Sequence, residues 1–269
     1  MRDAADVLIA SCDRPAALAV TLTSLLAQDA GPLRIVVSDQ SDGPRAAFDA
    51  PEARAALRVL RASGHTVELH RHLPRRGLAE QRQFLLDEAR APCALFLDDD
   101  VILEPGLLAR LCAAIRAQHC GFVGSALIGL GFADDVRPTQ QAIEFWDGPV
   151  VPETVRPDTP AWQRHQLHSA ANLWHVQTRL GLTPAAQRLY RVAWVGGCVL
   201  FDTAMLRECG GFSFWRELPA EHCGEDVLAQ LRVMARFGGC AVIPSGAYHL
   251  ELPTTVPRRD CDAPRLLWR

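Results

Sequence analysis

Asp98, Asp99 and Asp100 end an apolar run of strand length, Ala94 to Leu97, and Pro105 follows closely. Adjacent carboxylates repel one another, so a fold tolerates them on a solvated loop or where a cation gathers them. Hard oxygen ligands of this kind suit Mg²⁺ or Mn²⁺, which keep positions open for phosphate oxygens. The same residues would also serve as a solvated acidic turn capping a helix after Pro105. Two more acidic positions fall where apolar runs stop: Asp13, before Arg14-Pro15, and Asp39, in Ser38-Asp39-Gln40-Ser41-Asp42-Gly43. Glu225 and Asp226 begin a later amphipathic stretch, where the helix macrodipole alone accounts for acidic residues.

These positions need elements to hold them. Residues 6–11 form an apolar run, and Pro15 opens an amphipathic helix through Gln28. Leu33 to Val37 and Thr66 to Leu69 read as strands. Asp49 and Glu52 have capping-box spacing ahead of a helix over 53–60. Arg75-Arg76-Gly77 leads into a helix from Leu78 to about Ala91, with Phe84, Leu85 and Ala89 inward. Val192 to Phe201 resumes strand character around Gly196-Gly197, and Asp202 to Cys209 reads as a short helix stopped by Gly210-Gly211. A helix from Glu225 buries Val227, Leu228, Leu231 and Met234, and Cys240 to Ile243 is the last expected strand. Alternating strands and helices imply a mostly parallel sheet with helices on both faces. Ligands of such sheets bind outside the carboxyl ends of the strands, where Asp13, Asp39 and Asp98–Asp100 all fall.

At 269 residues and 49% hydrophobic, the chain can bury a large core in one domain. A net charge of −3 gives no footprint for a nucleic-acid backbone. Every basic residue is arginine, which excludes lysine Schiff-base, Walker-A and SxxK chemistry. Nine cysteines, none in a Cys-x-x-Cys pair, read as reduced and mostly buried. Residues 1–6 are too polar for an export or transit signal, and no apolar stretch would cross a bilayer. The expected setting is cytoplasmic, with peripheral membrane contact open. The prolines and tryptophans of residues 127–191 show few clean periods, as in a lid, a partner surface or a long packed connection. His165 and His168 there carry no assigned role, and the arginine-rich tail reads as loose.

The combined order of segments resembles the family-2 glycosyltransferases, inverting nucleotide-sugar-dependent enzymes of GT-A fold. The resemblance covers residues 6 to about 126 and 192 to about 250, leaving the middle unmatched. It implies a Rossmann-like, mostly parallel central sheet in one GT-A domain. Residues 1–126 would bind nucleotide-sugar and metal, 127–191 would be an insertion, 192–250 the acceptor and catalytic half, and 251–269 a tail. Asp39 corresponds to the base-reading aspartate, Arg82 to the arginine before the metal strand, and Asp13 to the loop after the opening strand. Pro105 aligns the D-x-D motif on Asp98 and Asp100, with Asp99 able to contact ribose. Gly197, then Asp226 beside Glu225, follow in the family's order, with Asp226 as catalytic base. His249 matches a histidine that some relatives use on the metal, whereas Gln40 and Gln83 depart from the usual residues.

The implied cofactor is Mn²⁺ or Mg²⁺. The implied donor is a nucleotide sugar, UDP-linked by preference, and the acceptor is a saccharide, lipid-linked or small molecule. A nucleotidyltransferase would share the sheet and aspartates but need a glycine-rich, basic N-terminal loop that the sequence lacks. A non-catalytic nucleotide-sugar-binding protein would have no call for both the D-x-D aspartates and Asp226.

Overall fold

Residues 5–256 and 258–268 are described by a computed structural model. The polar N-terminal residues 1–4 lie outside it. The first half runs β1 (Ala5–Ser11), α1 (Pro15–Ser24), β2 (Arg34–Asp39), α2 (Pro51–Ala62), β3 (Thr66–Arg71), α3 (Leu78–Glu88), β4 (Cys93–Asp98), β5 (Val101–Leu103), α4 (Leu107–Gln118) and β6 (Phe122–Gly124). The second half adds α5 (Asn172–Arg179), β7 (Arg188–Tyr190), β8 (Cys198–Asp202), α6 (Thr203–Glu208), α7 (Glu225–Phe237), β9 (Gly239–Ile243), β10 (Ala247–His249) and α8 (Ala263–Leu267).

Eight strands form one sheet in the order β3-β2-β1-β4-β8-β6-β9-β7. β3, β2, β1 and β4 are parallel, as are β6 and β9, while β8 and β7 run against their neighbours. The chain therefore reverses its direction of travel across the sheet at β1 and β4, and a crevice opens outside their carboxyl ends. Alternation along the strands feeds two cores. Leu8, Ala94 and Phe96 pack with Leu85, Leu86, Leu228 and Leu231 on one face. Val7, Ile9, Leu95 and Leu97 pack with Leu18, Leu22, Leu57 and Leu111 on the other. A separate antiparallel pair, β5 with β10, sets His249 opposite Val101 and so beside Asp100.

Several expectations are corrected. Asp49 does not cap α2: its Oδ2 accepts from the Ala46 amide, and Pro51 takes the first helical turn instead. The aspartate cluster does not cap α4, whose N-cap is Gly106 and whose Leu108 amide donates to Gln28 Oε1 at 3.0 Å. Nor are two of its three members solvated, since Asp99 and Asp100 are 6% and 3% exposed. Gly196-Gly197 precede the strand rather than interrupt it, because β8 starts at Cys198. The middle segment is not merely irregular, for it contributes α5 and the edge strand β7. Beyond β9, β10 is a further strand, and the arginine-rich tail ends in a helix. There the Cys223 amide donates to Cys261 O and Trp268 Nε1 donates to Val155 O, fastening α8 to the body.

Candidate active site

β4 delivers Asp98 at its tip, and Asp99 and Asp100 form the turn into β5. The turn is held from both sides. Ser11 Oγ, ending β1, donates to Asp99 Oδ2 at 2.7 Å. Arg14, at the start of α1, donates to Asp100 Oδ2 at 2.6 Å and also to Pro253 O in the tail. His249 Nε2 lies 3.3 Å from the same Asp100 oxygen, and the Glu251 amide donates to His249 Nδ1. Burial would raise the Asp100 pKa, but the His249 hydrogen bond and the charges of His249 and Arg14 bring it below the usual range. Burial instead dominates at Asp99, which is pushed up to about 7 against the Ser11 hydrogen bond.

Asp98 belongs to a second network. Arg82, on α3 and 6% exposed, donates through Nη2 to Asp98 Oδ1 at 3.0 Å and through Nε to Glu225 Oε1 at 3.0 Å. Burial alone would lower this guanidinium's pKa, yet Asp98, then Glu225 and Asp226, more than reverse it. Glu225 is pulled into the core by that pairing. The neighbouring Asp226 side chain is half-buried and has no hydrogen-bond partner among the described residues. Its pKa is raised by burial first and by the Glu225 charge second. A helix turns about 100° per residue, so one acidic neighbour faces Arg82 and the other turns away from it.

Arg14, Asp98, Asp99, Asp100, His249 and Arg259 all line one cavity of about 290 Å³ at the β1/β4 crevice. A second cavity adjoins it over Gln40, Arg75, Gly77 and the tail. Gly77 has φ +100, and a Cβ there would meet Ala220 O at 2.5 Å. Gly197, φ +72, accepts from the Asp98 amide at 2.9 Å.

Six of the expected residues lie outside the cavity walls: Asp13, Asp39, Arg82, Gly197, Glu225 and Asp226. Asp39 is fully buried, and its oxygens accept from Ser41 N, Ser41 Oγ and Ala47 N, closing the loop after β2. Asp13 is exposed at φ +56, with its amide donating to Ser41 Oγ. Of the two departures, Gln40 lines the second cavity, and Gln83 Oε1 accepts from the Phe212 amide. Arg14, Ser11 and Gln81 were not singled out from sequence. Gln81 Nε2 donates to Ser38 O and Ser11 O, tying the ends of β1 and β2 together. For Ser11 and Arg14 a polar or basic residue within three positions of a strand tip was the available signal, whereas Gln81, inside α3, offered none.

The donor chemistry of Asp98 and Asp100, two hard carboxylates on one cavity wall, fits Mn²⁺ or Mg²⁺, and His249 stands on the same wall with its Nε2 against Asp100. Their ligand atoms are not drawn into one tight group. Among the described residues, the group of three within 4.8 Å is Glu68, His70 and Glu88, on the far strand β3 and the end of α3. Arg34 and Arg90 already neutralise Glu68 there.

The arrangement is that of a GT-A protein. S. aureus TarS 1-349 superposes with a TM-score of 0.55 at 14% identity, covering 91% of this chain and 60% of that one. The same protein in complex with UDP-GlcNAc gives 0.54 at 14% identity, over 94% and 60%. A further S. aureus TarS structure gives 0.53 at 14% identity, with 36% of its length covered. This chain thus spans about 60% of the shorter TarS structure. No curated protein sequence matches the chain. The model of Glycosyl transferase family 2 matches residues 6–169, and the chain belongs to that family. The match runs further into the middle segment than the motifs alone did, and it stops short of residues 192–250.

Among the described residues, no helix is long and apolar enough to cross a membrane.

Proposed function

We propose that the protein transfers a sugar from a nucleoside diphosphosugar to an acceptor hydroxyl with inversion, and that Asp98, Asp100 and His249 hold the divalent metal. The observation that carries this reading is the wall of carboxylates and His249 at the β1/β4 crevice, in a chain of this family. A divalent ion bound there would neutralise the leaving diphosphate. Arg82 holds Asp98 from behind by its Oδ1, which leaves Oδ2 for the cavity. Arg14 steadies Asp100 and supplies positive charge beside the phosphates.

Asp226 acts as the general base, taking the acceptor proton as its oxygen attacks the face of the anomeric carbon opposite the diphosphate. One displacement inverts the centre without a covalent intermediate. Pairing with Arg82 removes Glu225 from competition for that role. Asp99 faces the same cavity and is suited to contact ribose. Asp39 shapes the base-binding loop through Ser41 and Ala47, with Gln40 and Arg75 on the adjacent wall. A UDP-sugar is the preferred donor, consistent with TarS having been solved with UDP-GlcNAc. The segment 1–126 carries the donor contacts and the metal carboxylates, and 192–250 carries the base and His249.

Incubation with UDP-, GDP- and dTDP-sugars, scored by released nucleoside diphosphate with and without chelator, tests the reading. Metal-dependent release is expected from a UDP-sugar, and Asp100→Asn should abolish it. Full release in chelator, or from the chelated Asp100→Asn variant, would refute the metal assignment, and preference for a GDP-sugar would refute the base assignment.

A further inference from the structure

A third cavity, of about 570 Å³, shares His249 and Leu252 with the walls of the first. Its wall includes Trp194, with His165 stacked on it at 4.9 Å between ring centroids and 11° between planes. Trp162 braces the indole from 4.5 Å, and its carbonyl lies 2.7 Å from His165 Nδ1. Glu251 adds a carboxylate to the same wall. It sits at φ +58, and Ala170, also on the wall, at φ +50. Non-glycine residues in that region are strained, and such strain concentrates at binding sites. The Gly131 amide donates to Glu251 Oε2 at 2.9 Å, and a Cβ on Gly129 would come within 2.6 Å of Oε1. The loop is thus shaped around this one carboxylate.

The cavity wall is also tied to α7. Gly196, on its wall, follows Val195, whose amide donates to Gln230 Oε1 and whose carbonyl accepts from Gln230 Nε2. Gln230 Nε2 also donates to Asp226 O, so the wall is bolted to the first turn of α7.

We propose that this cavity binds the acceptor and that the acceptor is a saccharide, its pyranose ring lying against the Trp194–His165 stack and its hydroxyls meeting Glu251. This rests on the glycosyltransfer reading above. A flat aromatic wall with a few convergent polar groups matches a sugar, which offers an apolar C–H face and a rim of hydroxyls. A peptide or a simple alkyl alcohol would leave one half of that wall unused. Leu130, Phe132 and Leu252, at 48%, 48% and 40% exposure, give apolar surface to the surrounding segments. A lipid-linked glycan and a free glycan share the pyranose that the wall recognises.

The experiment supplies the UDP-sugar that the full chain consumes, with methyl and octyl pyranosides, a serine peptide and 1-octanol as acceptors. Transfer to the pyranosides is expected, and Trp194→Ala should raise their KM about tenfold with kcat changed much less. Trp194→Phe should recover most of the loss, and UDP affinity should stay near that of the parent. Glu251→Gln, which keeps the shape and the Gly131 contact, should also raise the pyranoside KM and guards against misfolding of the tryptophan variant. A lower KM for octyl than methyl pyranosides assigns a lipid-linked source, and equal values a free glycan. Transfer to peptide or octanol in preference to pyranosides, or unchanged KM in both variants, overturns the proposal. Failure of the parent chain to consume any nucleotide sugar overturns the glycosyltransfer reading itself.

Discussion

Asp226 and Glu225 are adjacent acids with opposite surroundings, and the difference predicts which of them works. Glu225 shares the Arg82 guanidinium with Asp98, whereas Asp226 has no side-chain partner among the described residues. Asp226→Asn should lower transfer by orders of magnitude while UDP still binds, because the lost interaction belongs to the transition state. Glu225→Gln should show mainly a stability loss of about 1–3 kcal/mol, read by urea melting, as a buried charge-assisted bond is weakened. The reverse pattern would move the base to Glu225. Burial and the Glu225 charge raise the Asp226 pKa to about 7. A base must be ionised to act, so log kcat should climb with pH up to about 7 and level off above it. A profile flat from pH 5 to 8 would contradict that, within roughly the range where such a base titrates. At this scale, the aspartates were legible because an apolar run stopping in three acids leaves few options. Arg14 and Gln81 were not, because their partners lie across the crevice, 86 residues away for Arg14 and Asp100.

Elements were legible wherever a buried strand met a helix start, and illegible where pairing across the sheet decided the boundary. The apolar run of β2 stops at Val37, yet the strand continues to Asp39 because β1 and β3 pair with it on both sides. The Asp49–Glu52 spacing misled because Pro51 can start a helix without a side-chain cap. β10 went unread because its three residues form a strand only against β5. The glycine pair was legible as a close-approach signal, and its geometry supports a prediction for the element it opens. Gly197 stands at φ +72, and a Cβ there would lie 2.4 Å from Leu127 Cδ1 and 3.3 Å from Asp98 Oδ2. Gly197→Ala should therefore cost about 1–3 kcal/mol in backbone strain and displacement. Because the Asp98 amide donates to Gly197 O, the shift should also weaken Mn²⁺-dependent UDP binding. Gly196→Ala, whose Cβ meets nothing within 4 Å, is the control. Equal melting points and UDP affinities for the two variants would show that the close approach is not what the site requires.

Across the whole molecule, the chain crosses its own site twice. β1, α3 and β4 build the crevice from the first half, and α7 brings Glu225 to it from the second through Arg82. The tail then returns: Leu250 N donates to Asp100 O, Pro253 O accepts from Arg14, and Thr254, Thr255 and Arg259 line the first cavity. α8 packs on α7, with Ala263 N donating to Cys223 O just ahead of the acidic pair. None of this was readable from an arginine-rich stretch without periodicity, since its order comes from contacts with α1 and α7 and not from its own pattern. The tail therefore acts as a wall of the cavity and as a brace for α7, the helix of the proposed base. Removal of the residues after Leu250 should expose the apolar faces that Ala263 and Pro264 cover and release Arg14 from Pro253. The truncated chain is expected to melt several degrees lower, as a loss of about 1–2 kcal/mol would produce in a domain of this size. UDP affinity should fall along with it, because two walls of the adjoining cavities go with the tail. Arg259→Ala in the full chain separates wall from brace: it should weaken UDP while leaving the melting point unchanged. A truncated chain with the parent's melting point and UDP affinity would return the tail to the loose segment its sequence suggests.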